Sequence, residues 1–133
     1  MTKILYVEDD LSSQRLVQRI LTAEGFDVTL AEDGLKAIEA ARREKPDLVL
    51  MDINISGLDG YEVTTRLRTI EGLEKAPIIA VTAATLQGDR ERALVAGCNG
   101  YIPKPIDVDK FPEQVRAYMV GMEEKVGSPE EEA

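Results

Sequence analysis

The sequence predicts an α/β protein built on a five-stranded, doubly wound parallel sheet, and three observations lead there. Short apolar runs begin at Ile4 and recur along the chain, and those at Leu48–Met51 and Ile78–Val81 are continuously apolar, as strands buried on both faces require. Stretches with apolar residues at helical spacing separate them, the alternation expected of parallel strands joined by crossover helices. The 133 residues are 44% hydrophobic, enough for one compact domain with one core and too few for a second.

The first strand is Lys3–Val7. A helix follows, with Leu16, Val17, Ile20 and Leu21 as its apolar stripe, Asp10 as its cap and Gly25 as its left-handed stop. The second strand, Val28–Ala31, is more mixed in composition, as an edge strand would be. Asp33 caps the second helix, whose Ala37, Ile38 and Ala41 share a face, and Pro46 closes that region. After the strand Leu48–Met51, Val63, Leu67 and Ile70 recur at i, i+4 and i+7 and mark the third helix. The fourth strand is Ile78–Val81. Its helix, about Leu86 to Ala96, is polar and weakly amphipathic and ends at Gly97. Tyr101 and Ile102 form a short fifth strand, and Phe111, Val115, Tyr118 and Met119 stripe the last helix. Residues 121–133 turn acidic and are expected to be frayed or disordered.

Composition removes several function classes. A net charge of −9 opposes binding to the phosphate backbone of nucleic acid. The absence of histidine removes Ser-His and Cys-His nucleophiles and most zinc sites. The single Cys98 cannot form an internal disulfide, which fits a reducing cytoplasm, and its place beside Gly97 reads as a small apolar residue. The start of the chain carries no signal-peptide pattern, and no apolar run approaches the roughly 20 residues of a membrane span. A cytoplasmic protein is expected. Its chemistry must run on carboxylates, hydroxyls, lysine and backbone.

Ligands of doubly wound sheets bind outside the carboxyl ends of the strands. There the first strand presents Glu8, Asp9 and Asp10, the third Asp52, the fourth Thr82 and Ala83, and the fifth Lys104. Crowded carboxylates repel or take up protons unless a cation joins them, and a site of few carboxylates, water and phosphate oxygens suits Mg2+. Lys104 adds a positive charge for an anionic phosphoryl group. Thr82 adds a hydroxyl, and the backbone N–H groups of Asn54 and Ala83 add donors. A nucleophile, a metal and an electrostatic clamp are the parts phosphoryl transfer requires. Each residue alone has a plainer explanation: Asp10 as a helix cap, Thr82 as another, Lys104 as surface, Tyr101 as a half-buried strand residue. Their convergence from separate strand ends is what favours chemistry, with Asp10 left as a cap.

The segments Ile4-Leu5-Tyr6-Val7-Glu8-Asp9-Asp10, Asp47-Leu48-Val49-Leu50-Met51-Asp52-Ile53 with Gly57-Leu58-Asp59-Gly60, Pro77-Ile78-Ile79-Ala80-Val81-Thr82-Ala83 and Gly100-Tyr101-Ile102-Pro103-Lys104-Pro105 resemble the receiver domains of bacterial response regulators. The likeness runs from residue 3 to about 120, so residues 1–120 are expected to be the domain. Within the family the chain looks most similar to single-domain cell-cycle regulators of the DivK type, and the receivers appended to hybrid kinases are similar too, especially across Gly88-Asp89-Arg90-Glu91-Arg92 and Ala96-Gly97-Cys98. The resemblance implies the flavodoxin-like strand order 2-1-3-4-5, with Asp52 as phosphoacceptor and Asp9 as a direct Mg2+ ligand. Glu8 would hold the ion through water, and the Asn54 carbonyl would complete the ligands. Thr82 and Lys104 would contact the phosphoryl group, Tyr101 would be the switch aromatic with Ala83 and Pro105 as further switch positions, and the Lys104–Pro105 bond would be cis. Three positions depart from the commonest pattern: Glu8 replaces Asp, Ser56 stands where proline is usual, and Pro103 precedes Lys104.

The partners implied are a sensor histidine kinase or histidine phosphotransfer protein as donor, and a separate protein docking on the surface of the fourth helix, fifth strand and fifth helix. Neither nucleic acid nor membrane is expected to bind directly, and no conventional enzyme activity is expected beyond self-catalysed phosphoryl transfer and slow dephosphorylation. The alternative is a phosphatase of the haloacid-dehalogenase type, which also pairs a strand-end Asp with Mg2+ and a lysine. It would need a second acid two residues after Asp52, where Asn54 stands.

Overall fold

The computed structural model describes residues 2–53, 55, 59–83 and 87–127, with side chains left out at 87–90 and 120–127. Five βα units follow one another: β1 (Lys3–Val7), α1 (Leu11–Ala23), β2 (Asp27–Ala31), α2 (Gly34–Glu44), β3 (Leu48–Met51), α3 (Gly60–Leu67), β4 (Ile78–Thr82), α4 (Gln87–Ala96), β5 (Gly100–Pro103) and α5 (Phe111–Gly127). All strand pairs are parallel, in the order β2-β1-β3-β4-β5. The mixed second strand lies at the edge, and every residue of β3 and β4 is buried, as their continuous apolar character requires.

Side chains alternate across the strands and build two cores. Ile4, Tyr6, Leu48, Leu50, Ile79, Val81 and Ile102 point to one face and pack with Val17 and Leu21 of α1 and Phe111 and Val115 of α5. Leu5, Val7, Val49, Met51, Ile78 and Ala80 point to the other and pack with α2, α3 and α4. The helices of the second core contribute Ala37, Ile38 and Ala41, then Val63 and Leu67, and from α4 Ala93.

Asp10 caps α1 by accepting from the Ser13 N–H at 2.9 Å, and Asp33 caps α2 by accepting from the Lys36 N–H at 2.9 Å. Gly25 and Gly97, with φ of 93° and 116°, supply the left-handed turns expected after α1 and α4. Arg68, just past α3, donates to the carbonyls of Leu73 at 3.1 Å and Gly97 at 2.8 Å, and to Asn99 Oδ1. Asn99 Oδ1 also accepts the Ile78 N–H at 2.8 Å, so one side chain ties α3, the end of α4 and the start of β4.

Two expectations change. Leu16 is not part of the α1 stripe: it is 37% exposed, and the buried row is Gln14, Val17 and Leu21, spaced i, i+3 and i+7. The helix is rotated so that a carboxamide meets the end of β1 while Leu16 reaches the rim. At the other end of the chain, α5 continues to Gly127, beyond the boundary at 120. Glu123, Glu124 and Lys125 are good helix formers, and one Gly121 does not outweigh them. Residues 128–133 lie outside the described residues. Among the described residues, no helix is long and apolar enough to cross a membrane.

Candidate functional site

Hydrogen bonding between strands continues past their ends and sets the site residues side by side. The Asp52 N–H donates to the Val7 carbonyl at 3.0 Å, the Glu8 N–H to Ala31 at 2.9 Å, and the Lys104 N–H to Thr82 at 3.0 Å. These bonds join β2, β1 and β3 where the acidic residues begin, and β5 to β4; the β3–β4 register, Met51 opposite Ala80, sets Lys104 on the same rim.

Glu8, Asp9 and Asp52 each present a carboxylate oxygen within 4.8 Å of the others, with Glu8 and Asp52 buried and Asp9 exposed. The Lys104 ammonium donates to Glu8 Oε1 and, at 3.1 Å, to Asp52 Oδ2. Glu8 is further held by the Tyr6 hydroxyl, which donates to Oε1 at 2.9 Å, and by the Asp10 N–H, which donates to Oε2 at 3.1 Å. The Gln14 carboxamide donates to the Glu8 carbonyl. Thr82 is the last residue of β4 and fully buried, and Ala83 follows it on the exposed rim. Ser13, Leu16, Ala83, Lys104, Pro105 and Ile106 line an open groove of about 380 Å³ beside the carboxylates. The Lys104–Pro105 bond is cis.

Tyr101 stands apart from this cluster. It lies on β5 opposite Ala80, half-buried against the α2–α4 core, and its N–H donates to the Tyr118 hydroxyl at 3.2 Å. Asn54 and Ser56 lie outside the described residues. Pro103 sits opposite Thr82 in the β4–β5 register, and Ile102 before it is extended and buried.

The charges respond to their burial. Glu8 is pushed above the usual carboxylate range by loss of solvent; the Lys104 hydrogen bond pulls it down, and neighbouring Asp52 pushes it up again. For Lys104, burial alone lowers the pKa, but Glu8 and Asp52 outweigh it and leave the ammonium more firmly protonated. Burial, then the charge of Glu8, raises Tyr6 well above an ordinary phenol, so its hydroxyl remains a donor.

A carboxyl raised by folding favours the folded state most when protonated. The Glu8 contribution is complete below its ordinary value of 4.5 and is lost as pH rises through the folded value. The metal-free protein should therefore lose stability relative to Glu8→Gln as pH rises above 4.5. A divalent cation such as Mg2+, if these carboxylates hold one, would take the ionised form and should bind more tightly over the same rise. Urea midpoints of the two proteins against pH, with and without MgCl2, check this; parallel curves would refute it.

Sequence reasoning missed Tyr6 and Gln14. Tyr6 was legible in principle: a tyrosine inside an apolar strand, two residues before Glu8, shares its face and needs a partner for a buried hydroxyl. Gln14 carried no comparable signal, because its role depends on how α1 is rotated.

Three carboxylates and a lysine at the switch edge of a 2-1-3-4-5 sheet define a class, and the sequence matches it. Residues 4–116 match the response regulator receiver domain, and the chain belongs to that family of two-component signalling proteins. It is DivK-like: the polar-differentiation response regulator DivK of Brucella ovis is 41% identical over 120 residues, covering 90% of this chain and 98% of that protein. Among solved structures, the receiver domain of the Pseudomonas aeruginosa sensor histidine kinase PA1611, with a magnesium ion coordinated in its active-site cleft, is 39% identical. It superposes with a TM-score of 0.82, covering 89% of this chain and 97% of that one. The BeF3-activated receiver domain of Klebsiella pneumoniae RstA is 32% identical with a TM-score of 0.81, covering 89% of this chain and 98% of that one.

Proposed function

We propose that Asp52 accepts a phosphoryl group from a phosphohistidine on a sensor kinase or phosphotransfer protein, and that a separate protein reads the modified surface in the cytoplasm. The observation that carries this reading is the Lys104 ammonium bridging Glu8 and Asp52, with Asp9 alongside. Likeness to DivK, a response regulator covered almost end to end, supports readout by a partner protein.

The donor set fits Mg2+: all hard oxygens, two of them buried, and close enough to serve one small cation. Asp9 and Asp52 would hold it directly and Glu8 through water, with the Asn54 carbonyl as the further ligand that the family pattern supplies. When bound, the ion neutralises charge on the phosphoryl oxygens and the attacking carboxylate. An Asp52 oxygen attacks phosphorus, an O–P bond forms, and the N–P electron pair returns to the donor imidazole. Lys104 can exchange a carboxylate contact for a phosphoryl oxygen without leaving the site, while the Thr82 hydroxyl and the Ala83 N–H supply further donors. Water attack on phosphorus later returns the Asp52 carboxylate and releases phosphate. Asp52 is only 8% exposed at its side chain, so a donor must cover the rim, and the apolar walls Leu16, Pro105 and Ile106 beside Lys104 offer it a seat.

The test is incubation with acetyl phosphate and Mg2+ followed by intact mass. A receiver gains one labile phosphoryl group; steady turnover of the donor with no adduct would instead indicate a phosphatase. Metal titration by calorimetry checks the ligand roles. Asp9→Ala should weaken Mg2+ by upward of a hundred-fold, and Glu8→Ala by about thirty-fold, within the range for groups acting through a bridging atom. Equal losses would overturn the assignment of direct and water-mediated ligands.

A further inference from the structure

We infer that Tyr6 is a positioning residue of the metal site: its buried hydroxyl holds the Glu8 carboxylate in the one orientation that serves both Lys104 and the ion. This rests on the reading of the acidic cluster as a Mg2+ site.

The argument begins with reach. Glutamate is one methylene longer than aspartate, and at the end of β1 it has an extra torsion to fix. In the interior a long carboxylate with few partners would swing toward solvent or toward the nearest cation. Glu8 stays out of solvent, at 1% exposed, and the Lys104 cation is only one of the partners that hold its two oxygens. Tyr6 and Lys104 donate to Oε1, and the Asp10 N–H donates to Oε2. An ionised carboxylate accepts about four hydrogen bonds. Tyr6, Lys104 and the Asp10 N–H supply three of these, two on Oε1 and one on Oε2, so Oε2 is the oxygen better placed to accept from a metal-bound water as well. Of the three partners, Lys104 must be free to turn to a phosphoryl group, and the Asp10 N–H belongs to the start of α1. Only Tyr6 is an immobile side chain, fully buried among residues of the α1–α5 core, whose hydroxyl has no competing role. It holds Glu8 in place while Lys104 changes partner.

Tyr6→Phe removes the hydroxyl and keeps the ring that fills the core. Mg2+ affinity, measured by calorimetry, should fall about ten-fold, the lower end for partners that orient metal-site ligands and less than the loss in Glu8→Ala. The deciding measurement is the double-mutant cycle. In a Glu8→Ala background there is no carboxylate to hold, so adding Tyr6→Phe should change Mg2+ affinity by less than two-fold. The unfolding midpoint without Mg2+, taken on all four proteins, shows separately what the hydroxyl contributes to the fold. The same ten-fold loss in both backgrounds would mean that Tyr6 acts on the fold alone, and no loss in the wild-type background would mean that Glu8 is held without it; either overturns the inference. Wild-type protein that fails to bind Mg2+ would overturn the metal reading itself, and the role of Tyr6 with it.

Discussion

Asp52→Asn should abolish covalent phosphorylation and leave the fold intact. The residue follows β3, whose side chains are all buried, and its N–H continues the sheet to Val7. Its position therefore depends on the backbone rather than on the carboxylate. Asparagine has the same shape, and its amide oxygen can still accept from Lys104, so the strand end has no reason to move. The amide oxygen is a poor nucleophile toward phosphorus, and no anhydride with phosphate survives on it. Stability without Mg2+ should change by no more than about 1 kcal/mol and could rise, because one of three crowded carboxylates is gone. Intact mass after acetyl phosphate and Mg2+ should show one labile adduct on wild type and none on the variant. A labile phosphoryl group retained by Asp52→Asn would place the acceptor elsewhere.

The parts of the fold that local pattern determines were legible before the structure. Leu48–Met51 and Ile78–Val81 can only be strands covered on both faces, and the mixed Val28–Ala31 lies at the edge. Asp10, Asp33, Gly25 and Gly97 punctuate the helices by backbone chemistry that needs no tertiary partner. The strand-end rule then selected Glu8, Asp9, Asp52 and Lys104, and the structure brings those four together. Contacts made across long sequence separations were not legible. The Arg68 guanidinium reaches the Gly97 carbonyl 29 positions away, and no periodicity announces a side chain that satisfies backbone groups. Leu16 failed for a related reason: an apolar stripe one residue too wide fits two helix rotations, and burial of Gln14 against the end of β1 decides between them.

Tyr101→Ala should retain phosphorylation and lose most of the discrimination a partner makes between the two states. The β4–β5 register sets Tyr101 opposite Ala80, with Thr82 two residues further along β4 on the same face, toward α3 and α4. On the proposed reading, a phosphoryl group on Asp52 would draw the Thr82 hydroxyl inward and vacate space on the face of the sheet where Tyr101 lies. Among the described side chains of α4, Ala93 is buried while Leu94 and Val95 are 51% and 89% exposed; the Arg92 guanidinium stacks 4.4 Å from the Tyr61 ring centroid, and Gly97 is tied to Arg68. An exposed apolar pair such as Leu94 and Val95 adds little to the packing of a helix, so α4 is where a small change at Thr82 is expected to become a change of surface. Phosphorylation can bias that surface only by its differential contacts, typically about 1–3 kcal/mol, or roughly 5- to 150-fold in partner affinity. If Tyr101 is the coupling ring, Tyr101→Ala should bring that ratio close to one, with Asp52 still modified. Hydrogen exchange with a beryllofluoride mimic and Mg2+ should change most in residues 82–105. Changes confined to the loops around Glu8 and Asp52, with partner discrimination intact in Tyr101→Ala, would mean that the partner reads the phosphorylated rim directly.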